Sequence, residues 1–292
     1  MKLSILLALS LLPLSCEKRI ALAHSGVTLQ ELVNRGASMA RVKRMLRFLN
    51  EEQSLKVCFW GMEGYPSALY QMENPPFRLM YNKLLPDPSS QLLTLCGTRY
   101  PDGNGAQRAY RFALEACANN TTLVTSNSRG IDRTVLYASG DLKVNAFVIC
   151  DCGLATHRVK AYHALPFVSL LSPYEPDDAA FASRCLSRNM LSTAIGDATM
   201  VIQSPEKSGC LHCATSALDQ GKDVFVHTDG LYGGSLDGGI ASLAQMGATD
   251  VASFRDLASI LSWESPCKVE ERRGGAGTLY RFGPAWYSLE YA

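Results

Sequence analysis

From about residue 90 onward the chain alternates short apolar runs with segments of helical periodicity, and nothing else in it constrains the fold as tightly. The run "QLLTLCG" (91–97) precedes "AQRAYRFALEACANN" (106–120), where Ala106, Ala109, Tyr110, Ala113 and Cys117 share one helical face. "TTLVTS" (121–126) comes next, then a short helix after Gly130, then "VNAFVICD" (144–151). The alternation returns as "ATMVIQS" (198–204) before "SGCLHCATSALDQG" (208–221), and as "DVFVHT" (223–228) before a helical 237–247. These runs are apolar without strict alternation, as strands are when both faces of a parallel sheet are covered by helices. The expected fold is α/β, with a doubly wound, mainly parallel sheet.

The first sixty residues read differently, as two or three short helices broken at 13–18 and 25–27. Thr28 is placed to cap a helix from Leu29, with Glu31 completing a capping box. The opening stretch "MKLSILLALSLLPLSC" resembles a lipoprotein export signal ending at Leu14-Ser15-Cys16, yet it is short for a membrane span and carries a proline. Ile5, Leu6, Leu9 and Leu12 also repeat at helical spacing, so a retained, packed first helix is expected, with Cys16 in the following loop. A proline-rich connector, 64–82, still carries Tyr65, Leu69, Phe77, Leu79 and Tyr81 and is expected to pack on the sheet domain. The resulting division is a helical domain 1–62, a sheet domain 63–262 and a short tail 263–292, read as a turn between irregular or extended pieces.

Composition adds limits. At 292 residues, 47% apolar and 19% charged, the chain is an ordinary globular protein. A net charge of +1 gives no global sign of a nucleic-acid partner, although a local patch suffices to bind phosphate. Ten cysteines sit largely within strand-like or helical patterns and are expected to be reduced packing residues. Cys210-Leu-His-Cys213 lacks the second ligand pair that structural zinc needs, so neither metal nor cofactor is expected.

Three loops follow strands, where open parallel sheets bind ligands. The first, "GTRYPDGNG" (97–105), offers Gly97, Thr98 and Arg99 before a helix, without matching a dinucleotide fingerprint. The second, "TSNSRGID" (125–132), offers Ser126, Arg129 and Gly130, the planar guanidinium suiting phosphate oxygens; pairing of Arg129 with a carboxylate is the plainer alternative. The third, "KSGCLHCA" (207–214), joins Lys207, Ser208 and Gly209 to the amides of a helix start. A helix over 187–198 brings Arg188 and Asn189 to the same edge. No Ser–His–Asp order, HExxH motif or marked carboxylate pair accompanies them, so binding is expected and catalysis is not.

In order, these pieces resemble the DprA/Smf family, the DNA-processing proteins of bacterial transformation. Tyr65-Pro66, Leu69, Asn74-Pro75-Pro76 and Leu79 echo its "YP..L....DPP..L" element; Gly97-Thr98-Arg99-Tyr100-Pro101 and Gly105 echo "G[ST]R.PS.YG". Arg129-Gly130-Ile131-Asp132 matches the end of "SGLARGID", and Asp151-Cys152-Gly153-Leu154 corresponds to "GCGL". Arg188 to Asp197 aligns with "RNRIIAGLSD", and Ser208 to Val226 with "SGSLITA..A...G..VFAVPG". The resemblance covers about residues 64–262 and implies an extended Rossmann-like domain behind a small helical one. It further implies a cytoplasmic homodimer that binds single-stranded DNA and helps load a RecA-type recombinase, with no membrane partner. Met190, Ala194, Ser126-Asn127-Ser128, Cys210 and Cys213 depart from the motifs, which marks a divergent member. A nucleotide-binding Rossmann-like protein or an enzyme acting on a nucleoside phosphate is the alternative, because the same sheet edge suits a mononucleotide.

Overall fold

The computed structural model describes residues 1–51, 54–274, 277–282 and 284–289. Four helices open the chain: α1 (Leu3–Leu9), α2 (Cys16–His24), α3 (Leu29–Asn34) and α4 (Met39–Glu51). The apolar opening run is packed inward, with Leu6, Leu7, Ala8, Leu9 and Leu12 all buried. Cys16 is not in a loop as expected. Ser15 caps α2 by accepting from the Lys18 amide, so the helix starts at Cys16, whose thiol donates to the Pro75 carbonyl at 3.3 Å. The capping box of α3 forms as read, the Thr28 amide donating to Glu31 Oε2 at 2.7 Å. Among the described residues no helix is long and apolar enough to cross a membrane.

Nine strands make the main sheet: β1 (Lys56–Phe59), β2 (Arg78–Tyr81), β3 (Leu92–Cys96), β4 (Thr122–Ser126), β5 (Ala146–Ile149), β6 (Val168–Ser172), β7 (Ala198–Val201), β8 (Val224–His227) and β9 (Thr249–Val251). Their order is β1-β2-β6-β5-β4-β3-β7-β8-β9. Everything from β6 to β9 is parallel, while β1 and β2 add an antiparallel edge. The sheet therefore begins before residue 63, and β2 lies inside the proline-rich connector. The fold is the doubly wound, Rossmann-like α/β architecture expected. Central strands β3 and β5 are buried along their whole length, which is why their sequences do not alternate. Helices α5 (Gly103–Ala118) and α6 (Ile131–Leu142) contribute Tyr110, Phe112 and Val135 to one core, which is continuous with that of the N-terminal helices. On the other side of the sheet α8 (Ala182–Ile195) and α9 (Gly209–Asp219) supply Leu191 and Ala214 to two smaller cores. Shorter helices fill the remaining connections: α7 (Lys160–His163), α10 (Gly238–Gln245) and α11 (Phe254–Ile260).

The N-terminal helices dock on the sheet domain through charge. Glu175, its side chain 1% exposed, accepts from Arg41 Nε at 2.8 Å and Arg44 Nη2 at 3.0 Å, both on α4. Arg78 on β2 donates to Ser10 Oγ at 2.7 Å, and its burial lowers the guanidinium pKa to about 10.

The C-terminal segment is more ordered than its composition implies. Strands β10 (Glu270–Gly274), β11 (Gly277–Phe282) and β12 (Ala285–Ser288) form a separate antiparallel sheet. Tyr280 is buried against Tyr110, ring centres 5.6 Å apart, and Glu271 accepts from Arg111 at 2.8 Å. Residues 275 and 276 of the expected turn lie outside the described residues. All ten cysteines are free thiols.

Candidate functional site

The chain runs from β3 outward through β4, β5 and β6, then returns to place β7 on the other side of β3. That reversal opens a crevice at the strands' C-terminal ends, the position where doubly wound sheets take ligands. A cavity of about 340 Å³ fills it, between the loops following β3 and β7 and the start of α9. Its inner wall is polar but internally engaged. Thr94 donates to the Ser192 carbonyl at 2.8 Å and Thr125 to the Leu95 carbonyl at 3.0 Å.

Two glycines let the loops meet. At Gly130, φ is +76°, and a Cβ there would lie 2.4 Å from the Thr98 carbonyl oxygen. At Gly97 a Cβ would lie 2.7 Å from Ile131 Cγ1. With both side chains absent, the Ile131 amide donates to the Thr98 carbonyl at 3.1 Å, and the Thr98 amide donates to the Gln203 carbonyl at 2.8 Å. Three strand-following loops are thereby joined. Gly97 and Thr98 line the cavity; Gly130 stands behind them as a shaping residue.

Arg99 and Lys207 line the cavity mouth, are exposed, and make no hydrogen bond or ion pair among the described residues. Ser208 caps α9, and Gly209 begins it beside them. The helix start presents amide donors toward the same opening. Asn189 also lines the cavity, its amide donating to the Gly209 carbonyl at 3.2 Å and so fixing α8 to α9.

Arg188 reaches the same cavity, as expected of the helix that carries it, but as a buried residue. It lies within α8, is 3% exposed, and donates to Asn127 Oδ1 at 3.0 Å and Asn189 Oδ1 at 3.2 Å. It touches the cavity from below. Arg129 does not line the cavity. Its guanidinium lies 4.6 Å from the Tyr100 ring centre, and it forms no ion pair among the described residues. Ser126 is committed to Asp132, whose carboxylate accepts its hydroxyl. Burial pushes the Asp132 pKa up to about 6, against the Ser126 hydrogen bond, the Arg188 charge, the Gly97 amide and the Arg99 charge. Among the described residues Asp132 is the one carboxylate in the cavity lining, facing Arg99, Arg188 and Lys207.

Sequence reasoning missed the support beneath. Asn127 Nδ2 donates to Asp151 Oδ1 at 2.9 Å, and Arg158 reaches the same carboxylate at 3.1 and 3.2 Å. Burial raises the Asp151 pKa, but hydrogen bonds from Asn127 and Cys185 and the charges of Arg188 and Arg158 bring it net below the usual carboxylate range. Gln203, fully buried, was missed too, because a lone glutamine at a strand end carries no pattern.

The fold and this pocket define a Rossmann-like domain with a cavity at its switch point. The chain belongs to the DNA recombination-mediator protein A (DprA/Smf) family, whose model matches residues 56–262. It is 25% identical to protein Smf of Borreliella burgdorferi over 71% of this chain and 67% of that one. It is 27% identical to DNA processing protein DprA of Bacillus subtilis over 70% of this chain and 71% of that one. Among solved structures, DprA of Streptococcus pneumoniae superposes with a TM-score of 0.72 at 19% identity, covering 90% of this chain and 99% of that one. DprA of Helicobacter pylori, described for its single-stranded-DNA binding mode, gives 0.59 at 22% identity over 71% and 95%.

Proposed function

We propose that this chain binds single-stranded DNA at the switch-point cavity and acts in DNA processing during transformation. The observation that carries the reading is the pairing of uncommitted cations, Arg99 and Lys207, with the α9 N-terminus at the mouth of one cavity. Such a rim attracts phosphate. Tyr100, 65% exposed at the same rim, offers a ring face for base stacking. Family membership and the DNA-binding relative support this over a mononucleotide site. The reading extends to a cytoplasmic homodimer that helps load a RecA-type recombinase, and to a binding role without catalysis. Lys207 and Arg99 put positive charge where a strand's phosphates pass.

Fluorescence anisotropy against salt tests the proposal. A strand engaging three or four phosphates gives a slope of log K on log salt near about −0.7 per phosphate. The expected order is single strand over duplex over mononucleotide, with the steepest slope for the strand. Equal, shallow slopes for strand and mononucleotide overturn it.

A further inference from the structure

A second cavity, of about 610 Å³, opens along the same edge of the sheet, over the end of β8 and under the C-terminal sheet. Gln203 joins the two cavity walls. Its carbonyl holds Thr98 of the first, and its side-chain amide donates to Asp102 Oδ1 at 3.2 Å and Asp237 Oδ2 at 3.3 Å in the second.

The charges of the second cavity cancel within its walls. Arg108 pairs with Asp237 at 3.1 Å, and Glu271 takes both Arg111 at 2.8 Å and Arg273 at 2.6 Å. Asp102 caps α5, and Asp229 is largely exposed. Three arginines thus face four carboxylates among the described residues, leaving no surplus cation for a phosphate. The uncommitted donor is neutral. His227 ends β8 and is 7% exposed. Its Nδ1 accepts from the Asp229 amide at 3.2 Å, which places the ring proton on Nε2. Burial lowers its pKa to about 4; Asp229 opposes this, and Arg108 and Arg111 add to it. Nε2–H makes no hydrogen bond among the described residues, and neither does the buried Nε of Arg108 beside it.

We propose that this cavity receives a nucleobase of the bound strand, an uncharged ring whose acceptor atom takes the His227 Nε2–H. The inference rests on the single-strand reading above. A phosphate finds no net positive charge here, and a deoxyribose within a strand has no strong acceptor besides its esterified oxygens. Every base has ring-nitrogen or carbonyl acceptors, together with an N–H that a wall carboxylate accepts. The volume falls in the range of small-ligand pockets, roughly 300–1,000 Å³. Gln203 makes the two cavities neighbours, so a strand in the first has the second within its path. A free nucleotide carries the same base chemistry, and the experiment separates the two sources.

The test is ¹⁵N NMR of the full chain with labelled histidine, read at Nε2 of His227. The probes are a single-stranded oligonucleotide, its abasic counterpart and a deoxynucleoside monophosphate. The expected result is a shift with the intact oligonucleotide and none with the abasic one. His227→Leu should weaken the intact oligonucleotide roughly three- to tenfold, as loss of one hydrogen bond does, and leave the abasic one unchanged. His227→Gln, which keeps an N–H donor, should recover part of the loss. An unmoved Nε2 signal at saturating oligonucleotide, or an equal shift with the abasic strand, overturns the proposal. A shift with the monophosphate while the oligonucleotide binds silently overturns the strand assignment. If no oligonucleotide binds yet the monophosphate shifts Nε2, the single-strand reading fails while base recognition at His227 stands.

Discussion

The Arg129 guanidinium covers one face of the Tyr100 ring at 4.6 Å, tying the loop after β4 to the loop after β3 outside the cavity itself. Tyr100 remains 65% exposed, so the stacked pair stands at the rim with Arg129 charged and unpaired by any carboxylate among the described residues. An exposed cation–π contact is worth about 0.5–1 kcal/mol. Arg129 therefore matters more to an arriving phosphate than to the fold.

Arg129→Ala should weaken single-stranded-DNA binding and make the salt slope shallower by about 0.7. Thermal unfolding should change little. Anisotropy titrations at several salt concentrations, beside a melting curve, check both. An unchanged slope removes Arg129 from the strand's path.

The strands that build the site were legible because β3, β4 and β7 are apolar on both faces and end in glycine, serine or polar loops. Gly97 and Gly130 were legible as candidate site residues, although the sequence did not show that the loops they belong to cross each other. Arg188 was visible as a basic residue on a helix. Its burial was not, because it depends on Asn127, which comes from a loop about sixty residues earlier. β1 and β2 escaped notice for a different reason. Each is four residues long, and β2 follows Pro75-Pro76, whose composition speaks for a connector.

Asp132→Asn should stabilise the protein at neutral pH. The folded carboxyl titrates at about 6, above the roughly 3.9 of an unfolded aspartate. Between those values the unfolded chain releases its proton first, so wild-type stability falls as pH rises and then levels off above about 6. The asparagine keeps an acceptor for Ser126 and removes that slope. Denaturant unfolding across pH 4–8 should show the variant gaining up to about 2–3 kcal/mol relative to wild type. Parallel curves across that range exclude the mechanism.

The thiols should divide by burial. Desolvation pushes Cys58 and Cys117 up to about 12, so thiolate is scarce at neutral pH. Cys185 and Cys267 are the partly exposed ones. A disulfide reagent added to native protein should modify those two first, with the others reacting only on unfolding. Mapping by mass spectrometry checks the order, and rapid native labelling of Cys58 or Cys117 contradicts it.

Glu175 holds the N-terminal helices to the sheet, and its removal should be felt as a pH-dependent loss. Burial pushes its pKa up, but hydrogen bonds from Arg41 and Arg44 and the charges of Arg41 and Arg78 outweigh this, leaving it below the usual glutamate value. A carboxylate lowered in this way stabilises the fold above its unfolded pKa, about 4.3, and the contribution disappears as pH falls through the folded value. The two arginine side chains are 50% and 39% exposed, so water screens part of the attraction and stays available to them once the carboxylate is gone. Glu175→Gln should therefore cost about 1–2 kcal/mol at pH 7, less than the roughly 3–5 kcal/mol of a fully buried pair. The deficit should shrink toward zero as pH falls through the folded value, where the wild-type carboxyl is itself protonated. Hydrogen exchange should show the loss first in α4 and the segment around Glu175, while the central strands keep their protection. A deficit that persists unchanged in acid would assign the loss to packing and not to the ion pairs.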